Sequence, residues 1–146
     1  MGASSRFAVA IHIMVALAVG PRYGYASQTS DRIAGSVNTN PVVIRRLLGR
    51  LRQAGLVEST TGPEGGSSLA RPADQINLDE IYAAVEEGAL FHLHYSEPNK
   101  DCPIGCNIRG VLGGVFSEAE NSLKANLGQT NLAQLVQQMQ SQPAAG

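Results

Sequence analysis

Cysteine is scarce in this chain of 146 residues, which has only Cys102 and Cys106. Two cysteines so close together cannot staple a secreted scaffold, and a reducing cytoplasm is the setting they imply. Long apolar runs are also missing. The run Phe7 to Val19 has thirteen residues and is interrupted by His12. That is too short for a membrane span, so it reads as a buried helix with His12 as a hydrogen-bonded core residue, and no membrane partner is expected. The N-terminal Met-Gly lacks the Ser or Thr a myristoylation signal needs, because Arg6 occupies that place. Net charge is nearly absent, at −1, and by itself offers nothing to a polyanion. A hydrophobic content of 43% is that of a globular protein, and the length allows one domain with an appendage and no second catalytic domain.

The distribution of charge says more than its sum. Residues 1–73 hold eight arginines against Asp31, Glu58 and Glu64, a net +5, whereas residues 74–146 hold three basic and nine acidic residues, a net −6. A basic half can attract phosphate while an acidic half stays off it.

The basic half centres on residues 38–55. Asn40 can cap a helix, Pro41 suits its first position, and Gly55 supplies a left-handed stop. At about 100° per residue, Val43, Ile44, Leu47, Leu48, Leu51 and Ala54 fall on an inner face. Val42, Arg45, Arg46, Gly49 and Gln53 fall on an outer one, with Arg50 between the two and Arg52 expected off the arginine stripe. Arginine forks onto guanine edges or clamps phosphate, so the stripe suggests a helix that reads DNA rather than a merely solvated face.

The flanking residues supply the setting. A helix capped by Ser4 or Ser5 runs to Val19 and ends at Gly20-Pro21; a second begins near Thr29 with Ile33, Ala34 and Val37 inward; and Val37-Asn38-Thr39 turns tightly into the arginine helix. Helix, short turn and helix make a helix-turn-helix. Leu56 to Thr60 and Ser67 to Arg71 read as the strands of a hairpin wing, whose tip from Gly62 to Gly66 needs conformations that glycine adopts cheaply. Leu78 to Glu87 is a helix closed by Gly88, with Ile81, Tyr82 and Val85 inward. Cys106 to Leu127 is a longer one with Ile108, Leu112, Val115, Ala119 and Ser122 in a stripe that needs a partner. A last helix turns Leu132, Leu135, Val136 and Met139 to one side.

Arg50 to Val57, Gly62-Pro63-Glu64-Gly65-Gly66, Leu69-Ala70-Arg71-Pro72 and Ile76 to Ile81, in that order, resemble the Rrf-two family of bacterial winged-helix regulators, as does Ser5-Arg6-Phe7-Ala8. The family includes an iron-sulfur cluster regulator, a nitric-oxide-sensing repressor and a cysteine-metabolism repressor. The stretch 37–46 followed by Asp101-Cys102-Pro103-Ile104-Gly105 is most similar to the YwnA-like branch. The resemblance implies a homodimeric DNA-binding regulator, a repressor, that contacts an imperfect palindrome of double-stranded DNA. The contacts implied are Arg6, Thr39, Asn40, Arg45, Arg46 and the wing, including Thr61, Gly65, Gly66 and Ser67. It departs from many members in having Val43-Ile44-Arg45-Arg46 in the reading helix and Thr61 where they have a wing arginine.

The expected architecture is therefore α+β and mostly helical, with a winged helix-turn-helix over 1–88, a loop and dimerisation helices over 89–140, and a disordered tail over 141–146. Ile108, Leu112, Val115 and Ala119 are the expected dimer interface. His92, His94, Cys102 and Cys106 are of metal-ligand type, but H-x-H and C-x3-C depart from structural zinc spacing, and cluster-binding relatives use three cysteines in this loop. No metal or cofactor is expected, and a metal-sensing or iron-sulfur regulator using both cysteines and a His is the alternative. An enzyme built on a Cys–His pair lacks an orienting third group, and a winged helix that binds only protein is a further alternative. Cys102 precedes Pro103, so its thiol is expected at a helix start that favours thiolate, which makes Cys102 and Cys106 candidates for a redox switch. No effector is named by these residues.

Overall fold

The computed structural model describes residues 4–142. The N-terminal Met-Gly and residues 143–146 of the expected disordered tail lie outside them. Helix α1, Arg6–Val19, starts where Ser4 Oγ accepts the Arg6 N–H at 3.0 Å. Ala10, Ile13, Met14 and Leu17 recur at three- and four-residue steps and are buried, while Phe7, Val9, Ile11 and Val15 flank them half-buried. His12 overturns the expectation of a core histidine. It stands one step, about 100°, off the buried stripe, on the exposed side, with Nε2 2.9 Å from Ser36 Oγ. The α-helix ends at Val19, where Gly20-Pro21 was expected to stop it, but the residues beyond are not a plain loop. A 3-10 turn carries Gly20–Tyr23 onward, Pro21 sitting where no N–H is needed, and Gly24 at φ 90° stops it. By length and composition Arg6–Tyr23 could cross a membrane. Its inward stripe instead forms part of the core.

Helix α2, Ser30–Val37, is capped by Thr29, whose Oγ1 accepts the Arg32 N–H at 3.2 Å. Asn38 then takes φ 63°, the left-handed conformation expected of the turn. Helix α3, Pro41–Gln53, has Asn40 Oδ1 accepting the Val42 N–H at 2.9 Å, and Gly55 at φ 77° follows its end. Ile44, Leu47, Leu48 and Leu51 are buried, but Val43 and Ala54 are exposed, contrary to the sequence reading. The buried arc is narrow: Val43 lies about 90° from its centre, and Ala54 already lies past the last helical residue.

Strands β1, Val57–Thr60, and β2, Gly66–Leu69, pair antiparallel from Val57↔Leu69 to Thr60↔Gly66. Gln28 bridges β2 like a third strand, its N–H donating to Ser67 O at 2.9 Å and its O accepting the Ser67 N–H at 2.8 Å. This explains the wing glycines. A Cβ on Gly66 would stand 2.5 Å from Gln28 O, and one on Gly65 2.5 Å from Thr60 O.

Helix α4, Leu78–Val85, opens with an Asn77–Glu80 capping box. It ends before Glu86, earlier than expected, and Gly88 at φ 77° turns the chain beyond it. Leu78, Ile81 and Val85 are buried, and Tyr82 meets Phe7 edge-on with centroids 5.2 Å apart. Residues 89–107 are turns and bends, and α5 spans Ile108–Leu127, starting two residues after Cys106. Helix α6, Leu132–Gln140, returns to the first unit. Leu132 and Val136 are buried, the Leu132 N–H donates to Ile76 O at 2.8 Å, and the Leu78 N–H donates to Thr130 O at 3.0 Å. Met139, expected inward, is 49% exposed because it sits in the last turn, beyond the edge of the core. The boundary expected at residue 88 therefore does not separate two cores, since α6 shares the core of α1 to α4.

No residue of α5 is buried. Leu112, Phe116 and Leu123 are half-buried against their own chain, Phe116 stacking on Phe91 at 4.9 Å. Ile108 is half-buried as well, whereas Val111, Val115 and Ala119 are exposed. The single stripe read from sequence thus splits into a side used at home and a side left open.

Candidate nucleic-acid interface

Between α3 and the hairpin runs a cleft whose walls include Thr29, Arg45, Arg52, Thr61 and Gly62. Its floor is Leu48 with Gly66 and Ser67. The cap at Asn40 and the stop at Gly55 fix α3 at both ends, and the Gln28 backbone fixes the hairpin. Gln28 is 8% exposed, and its Nε2 also donates to Ala16 O at 2.6 Å, tying wing to α1. Nothing local marks it in the sequence, because a glutamine in a polar loop looks like any other. Ser27 Oγ adds a bond to Glu64 O at 2.8 Å and steadies the wing tip.

Arg45 and Arg46 are both exposed on α3, and Arg45 Nη2 lies 3.7 Å from Asp31 Oδ1. Arg52 was expected off the stripe and is not. Seven residues are nearly two whole turns, so it stands below Arg45 in the same cleft, with Nη1 donating to Ser59 Oγ at 2.6 Å. Arg50 is structural: its Nη1 donates to Val85 O at 3.0 Å and its Nη2 pairs with Glu87 Oε1 at 3.1 Å, a cation on the open carbonyl end of α4. Arg6 is drawn to the same end of α4, where Nη2 meets Glu86 Oε2 at 3.3 Å, and it does not line the cleft. Thr39 is half-buried in the turn, and Asn40 Oδ1 is engaged by the Val42 N–H, which leaves its amide NH2. Thr61 is exposed at the wing. Ser67 is 6% exposed with both backbone groups bonded to Gln28, so it serves the wing's footing more than its surface.

The second cluster weighed from sequence does not assemble. Among the described residues no group of three or more His, Cys, Asp or Glu side chains is placed to hold a metal. Cys106 Sγ donates to Pro103 O at 3.3 Å and receives a bond from Asn107 Nδ2 at 3.3 Å, while His94 offers its backbone oxygen to Arg109. Both cysteines are free thiols. The Gly105 N–H, then the Ile104 N–H, point at the Cys102 sulfur and hold its thiol below the ordinary range, outweighing what burial would add. The Cys106 N–H donates to Cys102 O at 3.0 Å, which closes the turn between them.

A helix-turn-helix followed by a glycine-pinned hairpin, with arginines on its second helix, defines a winged-helix transcriptional regulator. Residues 3–138 match the Rrf2 model, described as an iron-dependent transcriptional regulator, and the chain belongs to that family. It is 38% identical over 130 residues to YwnA of Bacillus subtilis (strain 168), whose name places it among HTH-type transcriptional regulators; the match covers 88% of this chain and 92% of YwnA. Among solved structures, T. potens IscR superposes with a TM-score of 0.71 at 23% identity, covering 100% of this chain and 94% of that one. CymR, the global cysteine regulator of B. subtilis, superposes at 0.65 and 23%, covering 94% and 97%. These relatives are regulators, not enzymes. Among the described residues Cys102, Cys106, His92 and His94 are not gathered into one group.

Proposed function

We propose that this protein is a cytoplasmic homodimeric repressor that binds an imperfect palindrome of double-stranded DNA. The observation that carries the reading is the cleft in which Arg45, Arg52 and the wing at Thr61 face one way, with Arg46 exposed beside them on α3. In that arrangement α3 enters the major groove and the wing lies along the backbone, and a compact dimer seated on an operator excludes other proteins from it. Two-fold symmetry sets the two α3 helices about 34 Å, or a multiple, apart. Binding of a random duplex is expected to weaken steeply between low and moderate salt, with a log–log slope near −0.9 for each phosphate contacted. Gel retardation across a salt series measures this, and a flat response sinks DNA as the ligand.

A thiol switch is the second reading, favoured by the paired N–H groups at Cys102. Two thiols and one peroxide give a disulfide and two waters, and the bond would join the two ends of the turn that the Cys106 N–H to Cys102 O bond closes. That turn leads into α5, so the spacing of the reading helices shifts with it. Operator affinity is expected to fall after mild peroxide in the wild type and to hold in Cys102→Ser. Unchanged affinity in fully oxidised wild type removes the switch.

A further inference from the structure

The reading face carries one acidic side chain that the proposed function leaves unused. Asp31 lies in the first turn of α2 and is largely exposed, with Oδ1 3.7 Å from Arg45 Nη2. Its position suits the helix dipole, but the capping duty is already met by Thr29 Oγ1 on the Arg32 N–H. The other acids of the basic half, Glu58 and Glu64, lie on the hairpin, and among the described residues neither forms an ion pair. Asp31 is thus the acid of that half which engages an arginine of α3.

In a helix-turn-helix the first helix crosses the phosphate backbone while the second enters the groove. A carboxylate at the start of α2 therefore stands where phosphate arrives, and it already pairs with the Arg45 guanidinium. Phosphate and carboxylate compete for Arg45 as acceptors of the same kind. A guanine edge offers two acceptors in the groove and no like-charge conflict with Asp31. We propose that Asp31 is a specificity-determining residue: by holding Arg45 it penalises the sequence-independent mode, in which Arg45 would swing to phosphate, more than the base-reading mode. The inference rests on α3 facing DNA. The pair is exposed, so its effect is a modest bias that DNA can displace.

The test is a double-mutant cycle of wild type, Asp31→Asn, Arg45→Ala and the double variant, each measured on a random-sequence duplex and on a site selected from a random pool. Asp31→Asn is expected to bind random duplex about 2- to 5-fold tighter. Its salt slope should steepen by about 0.9, and its ratio of specific to random affinity should fall. In the Arg45→Ala background the Asp31→Asn effect should vanish. An unchanged ratio overturns the proposal, and so does a fall of equal size in the Arg45→Ala background, which would make Asp31 a general repellent. Equal weakening on both duplexes with a lower melting temperature, repeated in Asp31→Ser, would mean a helix-stabilising role and overturns it as well. Wild type that binds no duplex sinks the DNA reading itself, a result distinct from wild-type binding with an unaltered Asp31→Asn.

Discussion

Val111→Glu combined with Val115→Glu is expected to convert the protein to monomers and to lower operator affinity on the order of 10²-fold or more, because joining two half-site readers adds that much over one. The reason lies in α5. Its twenty residues include none that is buried, yet Val111 and Val115 are 62% and 52% exposed on one side. A helix with its home side already used by Leu112, Phe116 and Leu123 has those valines left for a second copy. Four carboxylates across a two-fold seam would repel one another and would resist desolvation. Sedimentation velocity reads the state directly. A dimer that persists in the double variant puts the interface elsewhere, and Leu112→Glu serves as the contrast, since it should disturb the chain's own packing and lower its melting temperature.

Arg45→Ala and Arg46→Ala should each cost about 1–3 kcal/mol on the selected operator and relax the sequence preference at one position. Arg52→Ala, seated beside Ser59 at the wing, should weaken binding to all sequences alike and flatten the salt slope by about 0.9. Arg50→Ala should act differently, lowering thermal stability by freeing Val85 O and Glu87 while sparing base preference. Arg22 is the control, because it sits beside α6, away from the cleft. Equal losses at Arg22, Arg46 and Arg52 would reveal a diffuse basic surface instead of a reading face.

Most helix ends were legible, since they are decided by neighbours within a few residues. Asn40 with Pro41, Asn38 in its left-handed turn, and the glycines of the wing each act through local backbone geometry. The order of motifs carried the family, and the charge split set the basic winged-helix half apart from the acidic remainder. Where the sequence reading missed, the cause was angular or distant. Arg52 was placed off a stripe that its seven-residue spacing from Arg45 puts it on, and Val43 was placed inside an arc that is narrower than half a helix.

By itself the sequence determined the winged helix-turn-helix, its arginine-bearing second helix and its regulator family, because caps, turns and apolar periodicity are short-range or one-dimensional signals. Only the tertiary structure decided that Gln28 pins the wing, that Arg50 and Arg6 serve the end of α4, that α6 rejoins the first core, and that one side of α5 stays open. Each of these depends on which distant segment arrives at a given side chain. A glutamine twelve residues from its carbonyl partner, or an arginine eighty from its carboxylate, carries no local mark of the pairing until the core has closed around it.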